Sequence, residues 1–434
     1  VIPARRLLAG VALLALAGIG PAFRPDLGAL WWGGLALFGL LAGLDAVVLR
    51  RSPLPSLQRQ LPGSLALGIP DTVTLRLRPA GHRPVAISVY DHCPPSMECD
   101  DLPRHVNLLP GGHTDITYRV KPLQRGAFRF DVVQLRLRSS LGLWLRDCRI
   151  GLADTVRVYP NFAAVAKYTL LAADNRLSQM GIRKHRRRGE GQDFHQLREY
   201  RQGDPLRQID WKASSRLRKL ISREYQEERD QEIVFLLDCG YRMLAQDDDL
   251  SHFDHSLNAI LLLAYVALRQ GDGVGFATFS GEERWLPPVK GISLINHLFN
   301  QLYDLQPSSV APDYAEAATR LLLRHRKRAL VVLVTNLRDE DNADLLPAVQ
   351  LLKRRHLVLV ASMREQILEQ ELSRPISDFD QALRHAATRD YLQQRDQAVD
   401  ALRAGGTLCL DVVPQALSVS LVNQYLDLKA SGRL

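Results

Sequence analysis

Cysteine is scarce in this chain, with five among 434 residues. Cys93, Cys99, Cys148, Cys239 and Cys409 are odd in number and scattered, and no Cys-x-x-Cys pair occurs. Neither a disulfide framework nor a zinc site is therefore expected. Cys239 and Cys409 sit in apolar, strand-like runs, where a free cysteine acts as a small core residue. Internal repeats and low-complexity tracts are missing too, which leaves ordinary globular domains. Acidic residues are the minority charge, 47 against 56 Lys and Arg, for a net +9. That balance suits a domain tethered at an acidic inner leaflet, and no nucleic-acid partner is read from it.

What the chain has in plenty is apolar sequence at its N-terminus. Leu7 to Phe23 carries no charge, and Leu27 to Leu49 carries only Asp45. At about 1.5 Å per residue the two stretches span roughly 25 and 35 Å, against a hydrocarbon core of about 30 Å. Only Arg24, Pro25 and Asp26 separate them, so residues 1–51 read as a transmembrane hairpin. A cleaved signal peptide is the competing reading of the first stretch, which begins with Arg5 and Arg6. A second span comes almost at once, however, and "LAGIGPAF" is a poor cleavage site. Arg5 and Arg6 at one end and Arg50 and Arg51 at the other flank the same side of the hairpin. The excess of basic residues on cytoplasmic flanks then predicts a protein of the inner (cytoplasmic) membrane with its soluble domains in the cytoplasm.

"RSPLPSLQRQLPGS" is a Pro/Ser linker, and after it the signals are β. "DTVTLRLRP", "RPVAISVYD", "TDITYRVKP", "GAFRFDVVQLRLRSS" and "DTVRVYP" alternate apolar with polar residues and are punctuated by Gly and Pro. They predict an antiparallel β-sandwich over residues 52–162. A charged segment fills 163–228. From 229 to 434 the pattern becomes strand, helix, strand. "IVFLLD", "GVGFATFS", "ERWLPPV", "ALVVLVTN", "HLVLVASM" and "TLCLDVV" are separated by helical stretches such as His252–Gln270 and Asp378–Arg403. Short continuous apolar runs between helices specify a doubly wound α/β sheet.

The charged segment carries the most specific pattern. "RRGEGQDFHQLREYRQGDPLRQIDWKASSR" (187–216) closely resembles the signature of the bacterial domain-of-unknown-function 58 family. The matching positions are Arg188, Gly189, Phe194, Arg198, Tyr200, Gly203, Asp204, Arg207, Asp210, Trp211, Lys212 and Arg216, with Glu224 in the strand approach beyond. The resemblance implies a membrane-anchored chain whose last domain is similar to a von Willebrand factor A domain. It further implies a MoxR-type AAA+ ATPase as partner and, in some gene clusters, a transglutaminase-like membrane protein. It implies no established reaction.

A von Willebrand factor A domain ordinarily holds Mg²⁺ with a D-x-S-x-S turn, a Thr and an Asp. The corresponding residues here are Asp238, Gly240 and Arg242 on the first loop, Pro312 or Asp313 on the second and Asn336 on the third. Asp238 alone is unchanged, so no cofactor is expected, Mg²⁺ included. Asp238 is expected to pair with Arg242 or to cap the next helix, and Asp313, Asp339 or Asp341 are the possible substitute ligands.

Three readings of the signature compete. Its basic runs, Arg183–Arg188 and Arg216–Lys219, with Phe194, Tyr200 and Trp211, suggest nucleic-acid binding, but six acidic residues are interleaved with them. Asp204, Asp210 and Lys212 suggest a metal-dependent enzyme, although Pro205 and the short spacing spoil that scaffold. The third reading is a structural joint, with arginines paired to Asp204, Asp210 or Glu224 and Trp211 and Tyr200 buried. The joint is favoured. The expected whole is a non-enzymatic membrane-anchored scaffold that couples the ATPase to a membrane or envelope client. A metal-dependent enzyme or nucleic-acid-binding protein is the alternative.

Overall fold

The computed structural model describes residues 1–434 except 82–83, 162–166, 168–192, 202–205, 207–208, 227–230, 248 and 339–341, and it leaves the side chains of 22, 193–196, 223–226 and 342 undescribed. The chain divides into two compact units, Val1–Tyr159 and Pro160–Leu434.

The first unit opens with two antiparallel helices, α1 (Arg5–Ala17) and α2 (Gly28–Arg51). Gly10 lies against the Phe38 ring so closely that a Cβ there would sit 2.6 Å from Phe38 Cζ. Trp31 Nε1 donates to Leu14 O at 2.9 Å. Both contacts knit the hairpin. Within the 27 residues Pro25–Arg51 an 18-residue window reaches a mean hydropathy of 1.9, and the helix is long and apolar enough to cross a membrane. The first stretch is helical for 13 residues, or roughly 20 Å, before Gly18 and Pro21 break it into a further single turn. One helix of spanning length is thus present among the described residues, where two were expected.

A β domain comes next, built from β1 (Ser56–Gln60), β2 (Ser64–Ala66), β3 (Asp71–Arg78), β4 (Val85–Asp91), β5 (Met97–Asp100), β6 (Arg104–Leu108), β7 (Thr114–Pro122), β8 (Gly126–Arg138) and β9 (Trp144–Tyr159). One sheet runs β9-β8-β4-β6, with β2 and Ile2–Pro3 also paired to β9; the other runs β1-β3-β7-β5. Strict alternation makes the core: Val73, Leu75 and Leu77 of β3 and Val133, Leu135 and Leu137 of β8 point inward and are buried. A buried polar link joins the sheets. Arg59 of β1 makes paired 2.8 Å bonds to Asp91 of β4, and Tyr118 of β7 donates to the same carboxylate at 2.6 Å.

Cys93 and Cys99, between β4 and β5, form a disulfide. This corrects the sequence reading. Six residues apart and without a motif, the pair is brought together only by the path of the chain out of β4 and back into β5.

The second unit contains a small two-stranded sheet, β10 (Asp193–Glu199) with β11 (Ile221–Gln226), and a short helix α3 (Trp211–Leu217) between them. Its main sheet is built from β12 (Glu232–Asp238), β13 (Gly273–Phe279), β14 (Trp285–Val289), β15 (Leu330–Thr335), β16 (Leu357–Met363) and β17 (Leu408–Val412). The strand order is β14-β13-β12-β15-β16-β17, parallel except for β14. Helices α4 (His252–Arg269), α5 (Leu294–Leu302), α6 (Tyr314–Arg324), α7 (Asn342–Lys353), α8 (Gln366–Ser373), α9 (Phe379–Ala404) and α10 (Pro414–Ala430) complete it.

The alternation within β12 shows why the sheet needs cover on both faces. Ile233, Phe235 and Leu237 pack with α4, α5 and α10, whereas Val234 and Leu236 pack with α6, α7 and α9. Helix starts are specified locally. Ser251 and Asp254 form a capping box at α4, and the side chains of Asp313 and Asp378 cap α6 and α9. Because β13 and β15 lie on opposite sides of β12, the order reverses between β12 and β15. A crevice at the carboxyl ends of those strands is where open α/β sheets bind ligands.

Candidate functional site

Asp238 ends β12 at this crevice and is fully buried. Its Oδ1 accepts from Gly240 N at 2.7 Å, and its Oδ2 accepts from the Thr335 hydroxyl at 2.8 Å. Tyr314 OH lies 3.0 Å from Thr335 Oγ1 and, with that hydroxyl's proton given to Asp238, acts as donor to it. Gly240 is required here, because a Cβ would come within 2.8 Å of Val310 O. Burial lifts the Asp238 carboxyl to about 6, while the Gly240 N–H, the Thr335 hydroxyl and the charge of Arg242 pull against it. Arg242 is itself buried, and its guanidinium lies over the Tyr241 ring.

A second polar network fills the neighbouring strand ends. Buried His252 has Nε2 2.7 Å from Asp247 Oδ2 and Nδ1 3.2 Å from Asn336 Nδ2. The amide of Asn336 also donates to Glu365 Oε1 at 2.9 Å, and its Oδ1 accepts from Arg395 Nη1 at 3.3 Å. Both N–H groups and the carbonyl of Asn336 are therefore used. An Asp at this position would set a second carboxylate against Glu365 and could not donate to His252. Asn336 is the residue this network demands.

Arg395, wholly buried on α9, ties three strand ends together. It bonds Leu337 O beyond β15, Ser362 Oγ (2.8 Å) and Met363 O (2.6 Å) of β16, and Asp411 Oδ1 (2.7 Å) of β17.

These donors do not fit Mg²⁺. A hard dication needs several oxygen ligands, carboxylates prominent among them. Asp238 and Thr335 supply one carboxylate and one hydroxyl near a buried guanidinium, and the carboxylates of Asp247, Glu365 and Asp411 are engaged by His252, Asn336 and Arg395. Asp313 is exposed and occupied at the start of α6, where it accepts from Glu316 N at 2.8 Å. Among the described residues no group of three His, Cys, Asp or Glu side chains is placed to hold a metal. Asp339 and Asp341 lie outside the described residues. The sequence reading placed Asp238 and Arg242 on the first loop and sought the threonine at Pro312 or Asp313. Thr335, one residue before Asn336, is the hydroxyl that meets Asp238. His252, Arg395 and Asp411 were missed altogether.

Of the signature residues, Arg188, Gly189, Gly203, Asp204 and Arg207 lie outside the described residues, as do the side chains of Phe194 and Glu224. Asp210 caps α3, accepting from Ala213 N at 2.9 Å. Tyr200 N bonds Leu220 O, and Ser214 Oγ accepts from Ile221 N, so the helix is held against β11. Arg198 donates to Glu199 O at 3.2 Å. Lys212 and Arg216 are exposed on α3. Trp211, expected to be buried, is 68% exposed. Leu206, Leu217 and Leu220 are exposed as well.

The second unit is thus an α/β domain with Arg242 near the buried Asp238 at its switch point and Arg395 tying the neighbouring strand ends, in a chain that begins with an apolar hairpin. Residues 196–397 match the family described as "Protein of unknown function DUF58". The "Uncharacterized protein YeaD" of Bacillus subtilis (strain 168) is 26% identical over 323 residues, covering 70% of this chain and 75% of that protein. The crystal structure of an aerotolerance-related membrane protein from Bacteroides fragilis NCTC 9343, with multiple mutations to serines, aligns at 17% identity. It covers 45% of this chain and 98% of that one, with a TM-score of 0.29. The ASH/PapD-like domain 7 of human CEP192 aligns at 14% identity over 24% of this chain and 84% of its own, with a TM-score of 0.19.

Proposed function

We propose that the chain is a membrane-anchored scaffold that couples a MoxR-type AAA+ ATPase to a membrane or envelope client. In this reading the second unit is a von Willebrand-A-like domain without its metal. The strand order with one antiparallel edge strand supports that likeness. The guanidinium of Arg242 stands near the position a dication would take, so docking here would not depend on Mg²⁺.

The observation that carries the proposal is the exposed surface of α3 and its flanks. Trp211, Lys212, Arg216 and Leu217 of the helix are exposed, as are Leu206 before it and Arg218, Lys219 and Leu220 after it. Aromatic anchors rimmed by basic residues are the composition of an interface hot spot. The joint reading required Trp211 and Tyr200 to be buried; Tyr200 is half-buried and Trp211 is exposed. The Asp204/Asp210/Lys212 enzyme reading is weakened as well, since the Asp210 carboxylate accepts from the α3 backbone.

Membrane attachment is supported by Pro25–Arg51. Arg5, Arg6, Arg50 and Arg51 favour the cytoplasmic side for residues 52–434. The Cys93–Cys99 disulfide argues the other way, since disulfides persist mainly in oxidising compartments. We assign the cytoplasm on the arginines. A reporter active only outside the cytoplasm, fused after Leu434, should stay silent, and activity would reverse the assignment.

The functional test uses the full chain in detergent and the purified MoxR-type ATPase of the same genome. Co-elution from a sizing column and a change in ATP hydrolysis are expected. Separate elution with an unchanged rate would overturn the proposal.

A further inference from the structure

The hairpin and the β domain form one body, and their junction contains a basic recess. Trp144 Nε1 donates to Ala42 O at 2.8 Å, and Leu141 N donates to the buried carboxylate of Asp45 at 3.2 Å. Arg146 Nη1 reaches the carbonyls of Leu49 (3.2 Å), Arg50 (3.1 Å) and Ser52 (2.8 Å), at the end of α2, where the last turn runs out of helical donors. At the start of α1, Ala4 N bonds Leu143 O, and Ile2–Pro3 pairs with β9. The first turn of α1 and the last turn of α2 are therefore both fixed against the same edge of the β domain.

Two cavities open at that edge, of about 580 and about 490 Å³, and both are lined by Arg6, Ala86, Asn107 and Arg138. The larger also takes in Arg5, Arg136 and His105. Its floor is the outward row of the sheet, where Ser88 stands in register with both His105 and Arg136. Arg136 is held by Asp147 at 3.0 Å. Arg5, Arg6 and Arg138 make no ion pair among the described residues, and no carboxylate among them lines either cavity. Three uncompensated guanidinium groups facing one hollow attract an anion.

We propose that this recess seats the phosphate of an anionic phospholipid headgroup. The proposal rests on the reading that Pro25–Arg51 crosses a membrane. What favours a lipid over a free phosphate is the apolar path leading away from the arginines. Val48 and Leu49 line the smaller cavity, and Leu41, Leu44, Val47 and Val48 are exposed along α2. A ligand charged at one end and apolar at the other matches both parts. Basic pockets beside membrane helices recognise acidic headgroups in this way.

The experiment adds short-chain phosphatidylglycerol, short-chain phosphatidylcholine or inorganic phosphate to the full chain in neutral detergent and records the melting temperature. Phosphatidylglycerol should raise it in a saturable way, by mass action on the folded state. Phosphatidylcholine and inorganic phosphate should not. Arg6→Gln with Arg138→Gln should weaken the half-saturating concentration roughly 30-fold, since each basic residue contributes about fivefold. Arg6→Lys with Arg138→Lys, which keeps the charge, should retain most of the response. Equal responses to the two lipids, or a wild-type response in the Gln variant, would overturn the proposal. A phosphate response as strong as the lipid's would give the site to a free anion instead. The membrane reading is judged separately, by alkaline washing of vesicles made from equal parts of the two lipids. Release of the chain would reject the spanning helix whatever the headgroup preference.

Discussion

Asp411 Oδ1 lies 2.7 Å from Arg395 Nη2, with the arginine wholly buried and the carboxylate nearly so. The pair joins α9 to the last strand, and the same guanidinium also bonds groups at the ends of β15 and β16. Arg395→Met should leave Asp411, Asn336 and two carbonyls short of donors, at a cost of about 3–5 kcal/mol in denaturant unfolding. Asp411→Leu in the same chain should restore part of the loss, because the uncompensated carboxylate is then gone. A wild-type midpoint for Arg395→Met would show that the strand ends hold without it.

Acid should act on two buried groups in opposite directions. His356, buried and stacked 5.7 Å from His325, is pushed by burial and by that neighbour from 6.5 down to about 4. Its contribution to stability is full above 6.5 and is lost as pH falls through about 4. Asp238 is raised from 3.8 to about 6, so its contribution is full below 3.8 and is lost as pH rises through about 6. Each is worth roughly 3 kcal/mol at about 1.4 kcal/mol per pH unit. Across the shared window the two slopes oppose each other. His356→Leu should therefore gain stability, relative to wild type, as pH falls from 6 to 4, and Asp238→Asn should lose it. Variants with parallel slopes would contradict the assignment.

Millimolar Mg²⁺ should leave the melting temperature unchanged, because Arg242 and a lone carboxylate occupy the switch point. An ion that bound the folded state would raise it with concentration. A rise abolished by Asp238→Ala would mean that other oxygens complete a site.

Much of the second unit was legible in the sequence, for a physical reason. Runs such as "IVFLLD" and "ALVVLVTN" are apolar on both faces, which only a sheet covered on both sides tolerates. Caps such as Ser251 and Asp378 are equally local. What escaped was set by the path of the chain. Arg395 sits in "QQRDQAVD", which reads as an ordinary charged helix surface, and only the packing of α9 turns it inward. Thr335 meets Asp238 across 97 residues, and Cys93 meets Cys99 through the return of the chain into β5. Periodicity along the chain carries no trace of such meetings.

The exposure of Trp211 separates the docking face from a structural joint. A buried indole would cost about 3–5 kcal/mol on truncation, through lost area and a cavity. At 68% exposure Trp211→Ala should change unfolding by no more than about 0.5 kcal/mol, as surface substitutions do. Asp210→Ala is the contrasting change. It removes the α3 cap and should cost about 1 kcal/mol. If the indole anchors the ATPase, Trp211→Ala should still weaken that complex about 30-fold or more, the loss typical of a hot-spot residue. Unfolding and binding are measured on the same detergent-solubilised chain. An unchanged midpoint with weakened binding supports the docking face. A large loss of stability would return Trp211 to the joint, and an unchanged affinity would move the partner's footprint away from α3.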